Sequence, residues 1–187
     1  MEAVELDRRL KKILIGEEEL RRRVGELGAE ITADYRRLLG KGEGERPPLA
    51  VGLLRGAAVF LADLVRAIDL PLDYDFITVR SYGDDTSPGE LRLLQDLEEQ
   101  VAGRDLLLVE DIVDTGRTLK YIQKNLRARS PRSLRVCCLL DKVVRREIEV
   151  ELDYVGFRLE EDEFVVGYGL DYAGLYRNLP YIAVLKE

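Results

Sequence analysis

Leu20, Val24, Leu27, Ile31, Tyr35 and Leu38 recur at intervals of four, three, four, four and three, which places them on one face and predicts a long amphipathic helix. The run GKGEGERPP at 40–48 ends it as a solvated loop, because glycine and proline do not sustain a helix. Leu49–Leu54 is an apolar burst that reads as a buried strand, Arg55-Gly56 as a turn, and Ala57–Ile68 as a helix with Leu61, Leu64, Val65 and Ile68 inward. Residues 73–80, DYDFITVR, predict a second strand. Leu106–Val109 predicts a short buried strand followed by an acidic turn and a helix from Leu119 to about Ala128, stopped at Ser130-Pro131. Leu134–Leu140 is again strand-like, and Tyr154–Phe157, Phe164–Tyr168 and Ile182–Leu185 suggest further short strands.

Strands that alternate with helices, and that are apolar throughout rather than every second residue, imply an α/β fold with a mostly parallel central sheet flanked by helices. In such sheets ligands bind beyond the carboxyl ends of the strands. The polar stretch between Tyr82 and Gly103 begins without any core periodicity, and a long loop of that kind is expected to be functional or disordered. With no internal repeat, low-complexity tract or composition break, residues 1–187 are expected to form a single domain.

Composition narrows the chemistry. The 187 residues include no histidine, so Ser-His-Asp and Cys-His nucleophiles, HExxH zinc sites and imidazole bases are excluded, leaving carboxylates, lysine or tyrosine for proton transfer. The only cysteines, Cys137 and Cys138, are adjacent within an apolar run and should face opposite sides of a strand, which fits a reducing cytoplasm and not a disulfide or CxxC site. The N-terminus lacks a basic segment followed by an apolar core, and no stretch approaches the roughly 18 apolar residues of a membrane span. The expectation is a soluble, cytoplasmic protein with no membrane partner. A net charge of -7 argues against nucleic-acid binding, which depends on clustered positive charge.

Residues 106–119, LLLVEDIVDTGRTL, gather the chemistry. A buried strand delivers Glu110, Asp111 and Asp114 near its carboxyl end, and Thr115-Gly116-Arg117-Thr118 opens a helix. Hydroxyls and free N–H groups at a helix start, with a glycine for close approach and Arg117 as a cation, make a phosphate cradle. Paired acids beside it suit a sugar diol or a magnesium ion. The alternative, in which Asp114 or Thr115 caps the helix and Gly116 serves the turn, is about equally good for the turn alone. It leaves two neighbouring acids at one sheet edge unexplained. The absence of GxxxxGK[ST] speaks against a P-loop.

VEDIVDTGRT resembles the diphosphoribosyl-diphosphate motif of the type I phosphoribosyltransferases. Leu54-Arg55-Gly56, Ser81-Tyr82, LLDK ending at Lys142, and DEFVVGYGLDY...YRNLPY from Asp162 to Tyr181 extend the likeness, in order, to the bacterial hypoxanthine (hypoxanthine-guanine) members. The resemblance implies that family's fold, with a small hood built from the C-terminal segment and the N-terminus. It implies transfer of the phosphoribosyl group from 5-phosphoribosyl diphosphate to hypoxanthine or guanine, giving IMP or GMP and pyrophosphate with Mg2+, in a homodimer or homotetramer. By resemblance, Glu110 and Asp111 hold the ribose hydroxyls, and Asp114, Thr115, Gly116, Arg117 and Thr118 wrap the 5′-phosphate. The resemblance further implies that Asp114 is the acid-base residue at purine N7, and it gives the roles that follow. Lys142 donates to the 6-oxo group, Phe164 stacks on the base, and the Val165 backbone meets its pyrimidine edge. Asp171 joins Glu110 and Asp111 as a metal residue, and Arg177 binds pyrophosphate. Leu54, Arg55 and Gly56 form the pyrophosphate loop, commonly with a non-proline cis peptide, and the stretch from Ser81 and Tyr82 onward resembles the mobile loop that closes over the site. VGFRLEEDEFVVG is one residue longer than the usual VGFxIPDEFVVG and lacks its proline.

Two alternatives stay open at this level. The same sugar-phosphate site could serve xanthine, uracil or orotate, against which Lys142, Phe164, Val165 and Asp171 speak. A non-catalytic regulator binding nucleotide and RNA could share the fold, although an acidic chain that keeps Asp114, Lys142 and Arg177 disfavours it.

Overall fold

The computed structural model describes residues 8–39, 46–82 and 90–186. In chain order they form β1 (Leu10–Ile15), α1 (Glu17–Leu39), β2 (Leu49–Leu54), α2 (Ala58–Ala67), β3 (Asp73–Tyr82), β4 (Glu90–Gln95), β5 (Asp105–Val113), α3 (Arg117–Arg127) and β6 (Ser133–Lys142), then a 3-10 turn (Val143–Arg145), β7 (Tyr154–Leu159), β8 (Val165–Val166) and β9 (Ile182–Leu185). The main sheet runs β4-β3-β2-β5-β6-β7. All its neighbours pair in parallel except β4, which lies antiparallel on β3. A separate antiparallel sheet, β1-β9-β8, forms the hood.

The apolar runs become strands because both faces of the main sheet are covered. One face packs Ala50, Leu107, Val109, Cys137 and Leu139 against Leu20, Val24, Leu27, Ile31 and Tyr35 of α1 and Phe60, Leu61 and Leu64 of α2. The other packs Leu49, Val51, Leu106, Leu108, Val136 and Cys138 against Leu119, Ile122 and Leu126 of α3. The adjacent cysteines thus face opposite layers, as a strand requires. Tyr35 donates from its hydroxyl to the Leu106 carbonyl at 3.0 Å, joining α1 to the central strand. Leu38, expected on the same stripe, is 45% exposed, because α1 runs out beside it at Leu39.

Four elements differ from the sequence pattern. β5 runs on to Val113, so Glu110 and Asp111, expected in an acidic turn, lie within the strand. β1 occupies LKKILI, too short and too charged to read as a strand alone, and exists by pairing with β9. β4 lies in the polar stretch expected to be loop: it is a charged edge strand, whose one face needs no core. Ser81 and Tyr82 end β3, and the rest of the expected mobile loop, 83–89, lies outside the described residues. The strand expected over Phe164–Tyr168 shortens to Val165–Val166, since Gly167, Tyr168 and Gly169 take φ of 101°, 51° and 102° and turn the chain out of extended geometry.

Candidate active site

β5 lies between β2 and β6, so its carboxyl end opens at the middle of the sheet, where the turn after β2 also arrives. The Leu54–Arg55 peptide is cis, as the resemblance implied. Beyond it, Gly56 lies so close to Asp111 that a Cβ at position 56 would overlap the Asp111 carboxylate. On the other side a Cβ at Gly169 would overlap the Gly56 carbonyl, so the hood sits directly on this turn. Two glycines thereby let the pyrophosphate-loop segment, the acidic strand end and the hood meet. Arg55 is exposed at the rim.

Glu110 and Asp111 are bonded to each other. Burial, then the neighbouring Asp111 charge, drives the Glu110 carboxyl well above the usual carboxylate range. Burial also raises Asp111, to about 6, against the lowering effects of its own and the Ile112 backbone N–H, the bond from Glu110, and Arg177. Burial thus disfavours the charged form of both carboxyls, and a diol or a cation placed on the pair would favour it.

Asp114 follows where β5 ends. Among the described residues, Glu110 Oε2 and Asp114 Oδ1 are the two buried side-chain polar atoms with no hydrogen-bond partner. Such orphan acceptors at the mouth of a sheet mark a place where a ligand donates. α3 starts at Arg117 with Gly116 as N-cap, at φ 85° and without a side-chain cap, so neither Asp114 nor Thr115 serves as the cap. Thr115 Oγ1 accepts only a 3.4 Å bond from the Arg117 N–H. The remaining N–H groups of the first turn stay available to an anion. Arg117, expected to add a cation to the cradle, turns to Glu147, with its Nε 2.7 Å from Oε2. Thr118 is exposed beside it.

A cavity of about 260 Å³ extends from this end and is lined by Asp111, Asp114, Lys142, Phe164, Val165 and Asp171, with Ile112, Arg145, Glu163 and Leu170. Lys142, the last residue of β6, is 5% exposed; its Nζ donates to the Glu163 carbonyl at 2.9 Å and lies 2.6 Å from Asp162 Oδ1. The Phe164 ring is 52% exposed and meets Tyr172 edge-on at 5.7 Å, leaving a face for stacking. Asp171 pairs with Arg177 at 2.5 Å, and Arg177 also donates to the Gly169 carbonyl at 2.6 Å.

Asp111, Asp114, Lys142, Phe164, Val165 and Asp171 stand far apart in sequence and line one cavity, which Glu110, Arg177 and the Leu54-Arg55-Gly56 turn do not line. The family model for the phosphoribosyl transferase domain matches residues 22–173. The chain belongs to the phosphoribosyltransferases. This phosphoribosyltransferase is 48% identical over 178 residues to the hypoxanthine-guanine phosphoribosyltransferase of Bacillus subtilis (strain 168), covering 95% of its own chain and 94% of that one. Its structure is similar to that of a hypoxanthine phosphoribosyltransferase from Staphylococcus aureus, with TM-score 0.86, 45% identity and coverage of 95% and 92% of the two chains. It is also similar to the hypoxanthine phosphoribosyl transferase of Trypanosoma cruzi, with TM-score 0.90, 39% identity and coverage of 98% and 95%.

Two arginines at the phosphoribosyltransferase site carry no signal in the sequence. Arg146 donates from Nε to the Asp114 carbonyl and from its other end to the Val113 carbonyl, both at 3.1 Å, and pairs with Asp141 at 2.5 Å. It buttresses the turn that presents Asp114. Arg145 Nε lies 3.6 Å from Asp114 Oδ1. Both belong to VVRREIE, which reads as a solvated charge run until the chain after β6 folds back over the β5 turn. No helix among the described residues is long and apolar enough to cross a membrane.

Proposed function

We infer that this chain is a purine-salvage enzyme, a hypoxanthine/guanine phosphoribosyltransferase that moves the 5-phosphoribosyl group from 5-phosphoribosyl diphosphate to hypoxanthine or guanine, giving IMP or GMP and pyrophosphate. The observation that carries it is the single cavity that joins Asp111 and Asp114 to Lys142, Phe164, Val165 and Asp171. One wall suits a phosphoribosyl group and the other a flat base with an oxo acceptor.

In this reading Glu110 and Asp111 take the two ribose hydroxyls, and the 5′-phosphate rests on the N–H groups of residues 114–118. The bond from C1′ to the diphosphate breaks as the bond to purine N9 forms, and positive charge develops on the ribose next to these carboxylates. The unpartnered Asp114 Oδ1 receives the proton that leaves purine N7. Lys142 donates to the 6-oxo oxygen and would oppose the hydrogens of a 6-amino group. Phe164 stacks on the base, the Val165 backbone meets its pyrimidine edge, and Arg177 with the Leu54-Arg55-Gly56 turn receives the pyrophosphate. Arg117, held by Glu147, contributes its backbone N–H to the cradle.

A magnesium ion suits the same site. Among the described residues no three carboxylates or cysteines converge as a metal cage. Magnesium usually keeps waters and substrate phosphates and needs only one or two protein carboxylates. Asp111 and Asp171, which line one cavity, meet that demand, and the orphan Glu110 Oε2 adds an acceptor on the residue next to Asp111. When bound, the ion neutralises the departing diphosphate. The reading extends to one domain over residues 1–187, a homodimer or homotetramer, a cytoplasmic location, and no nucleic-acid or membrane partner.

The test is nucleotide formation from 5-phosphoribosyl diphosphate and magnesium with hypoxanthine, guanine, xanthine, adenine and uracil offered separately. Product with hypoxanthine or guanine and none with adenine or uracil is expected. Product with another base alone would overturn the base assignment, and none with any base would overturn the transfer reaction.

A further inference from the structure

The Lys142 ammonium has three N–H donors on a flexible stem, and a donor that is to read one oxygen of a base must be aimed. Two fixed acceptors supply the aim: the Glu163 carbonyl at 2.9 Å and Asp162 Oδ1 at 2.6 Å. With two of its three N–H donors so engaged, the ammonium keeps one donor free for the cavity that Lys142 lines. Asp162 is held in turn. Arg145 Nε stands 4.0 Å from the same Oδ1. The loop carrying Asp162 is pinned to the hood strand β1 through Glu163, whose carboxylate pairs with Lys11 at 2.9 Å and Lys12 at 3.0 Å, while Lys12 also reaches Glu161 at 3.8 Å. This is the segment that has an extra residue and no proline in this chain.

We propose that Asp162 is a positioning residue for base selection, which aims the Lys142 ammonium at the 6-oxo oxygen from a loop that β1 holds in place. It touches neither sugar nor phosphate, and its effect passes through Lys142. The inference rests on the assignment of Lys142 as the 6-oxo reader. Its substrate class is therefore the 6-oxopurines, with 6-aminopurines disfavoured.

A double-mutant cycle in steady-state kinetics tests it, with wild type, Lys142→Ala, Asp162→Ala and the double variant each assayed on hypoxanthine, guanine and adenine in the presence of magnesium. Asp162→Ala is expected to raise KM for hypoxanthine and guanine about tenfold, with KM for 5-phosphoribosyl diphosphate within about twofold of wild type. In the Lys142→Ala background it should add nothing, which a merely structural role would not produce. Asp162→Asn, which keeps the loop's volume and an oxygen acceptor, should show the same pattern with a smaller rise and serves if the alanine variant does not fold. An unchanged KM for the bases in both Asp162 variants, with Lys142→Ala impaired, would overturn the inference alone. So would an equal rise in the presence and absence of Lys142. If Lys142→Ala leaves KM for the bases unchanged, the assignment of the 6-oxo reader itself falls, and the inference with it.

Discussion

Asp114 stands where a base catalyst must stand, with an oxygen, Oδ1, that is shielded from water and accepts no hydrogen bond from the protein, although Arg145 Nε lies 3.6 Å away. Asp114→Asn should lower kcat by about 100- to 10,000-fold, the usual range for a lost proton acceptor. KM for 5-phosphoribosyl diphosphate should move little, because the phosphate cradle is built from backbone. Unchanged turnover in a continuous assay of IMP formation would remove Asp114 from proton transfer. Gly56 is equally constrained, but by space: a methyl group there collides with the Asp111 carboxylate. Gly56→Ala should displace Asp111 and lower kcat/KM for 5-phosphoribosyl diphosphate by about a hundredfold. A variant with normal kcat/KM would show that Asp111 can move without cost. Arg146 forks across the Val113 and Asp114 carbonyls and Asp141, a geometry that lysine cannot copy. Arg146→Lys should accordingly lower kcat with a smaller effect on base KM, and equal loss in both would argue for general unfolding of the turn.

Between elements, buried ion pairs set the register from which the site hangs. Asp105 opens β5, is 3% exposed, and joins Arg132 and Ser133 at the start of β6. Burial raises its carboxyl, but the Arg132 and Ser133 bonds outweigh burial and hold it below its usual 3.8. A depressed folded value means that the stabilisation is present above the unfolded value and is lost as pH falls through the folded one. Asp105→Asn should therefore destabilise the protein by about 1–3 kcal/mol at neutral pH. The gap to wild type should close as pH drops below 3.8, as read by chemical denaturation at several pH values. A gap that does not depend on pH would assign the effect to packing. β1 and β4 show why some elements were hidden. Each is short, charged and one-faced, so each becomes a strand only when its partner edge is present.

Across the whole molecule, the hood and the main sheet share one core. Ile15 of β1, Val165 of β8, Ile182 and Val184 of β9 and the adjoining Tyr168 and Leu170 belong to the same buried cluster as Leu107, Leu139 and the inner faces of α1 and α2. Tyr168 also donates to Asp63 of α2 at 2.6 Å. Elements that share a core cannot be exposed separately without exposing each other, so thermal unfolding should be a single transition with coincident far-ultraviolet and tyrosine signals. Two resolved transitions would mean that the hood melts on its own and that the single-domain reading is wrong.

Spacing of apolar positions determined α1 and α2, the Ser130-Pro131 stop marked the end of α3, and unbroken apolar runs determined β2, β5, β6 and the parallel, doubly covered sheet, because burial on two faces leaves a local mark on every residue involved. The segment from Glu110 to Thr118 was legible for a related reason: acids, glycine and hydroxyls crowded against a buried strand have few structural uses. The sequence could not express what depends on long-range closure. That Asp171 meets Arg177 beside Asp111, that Arg145 and Arg146 bend back over Asp114, and that Asp162 and Glu163 take hold of Lys142 all follow from turns between elements. Such turns have no period. Their side chains look like ordinary surface charge until the hood and the 3-10 turn bring them within bonding distance, and only tertiary structure decides that distance.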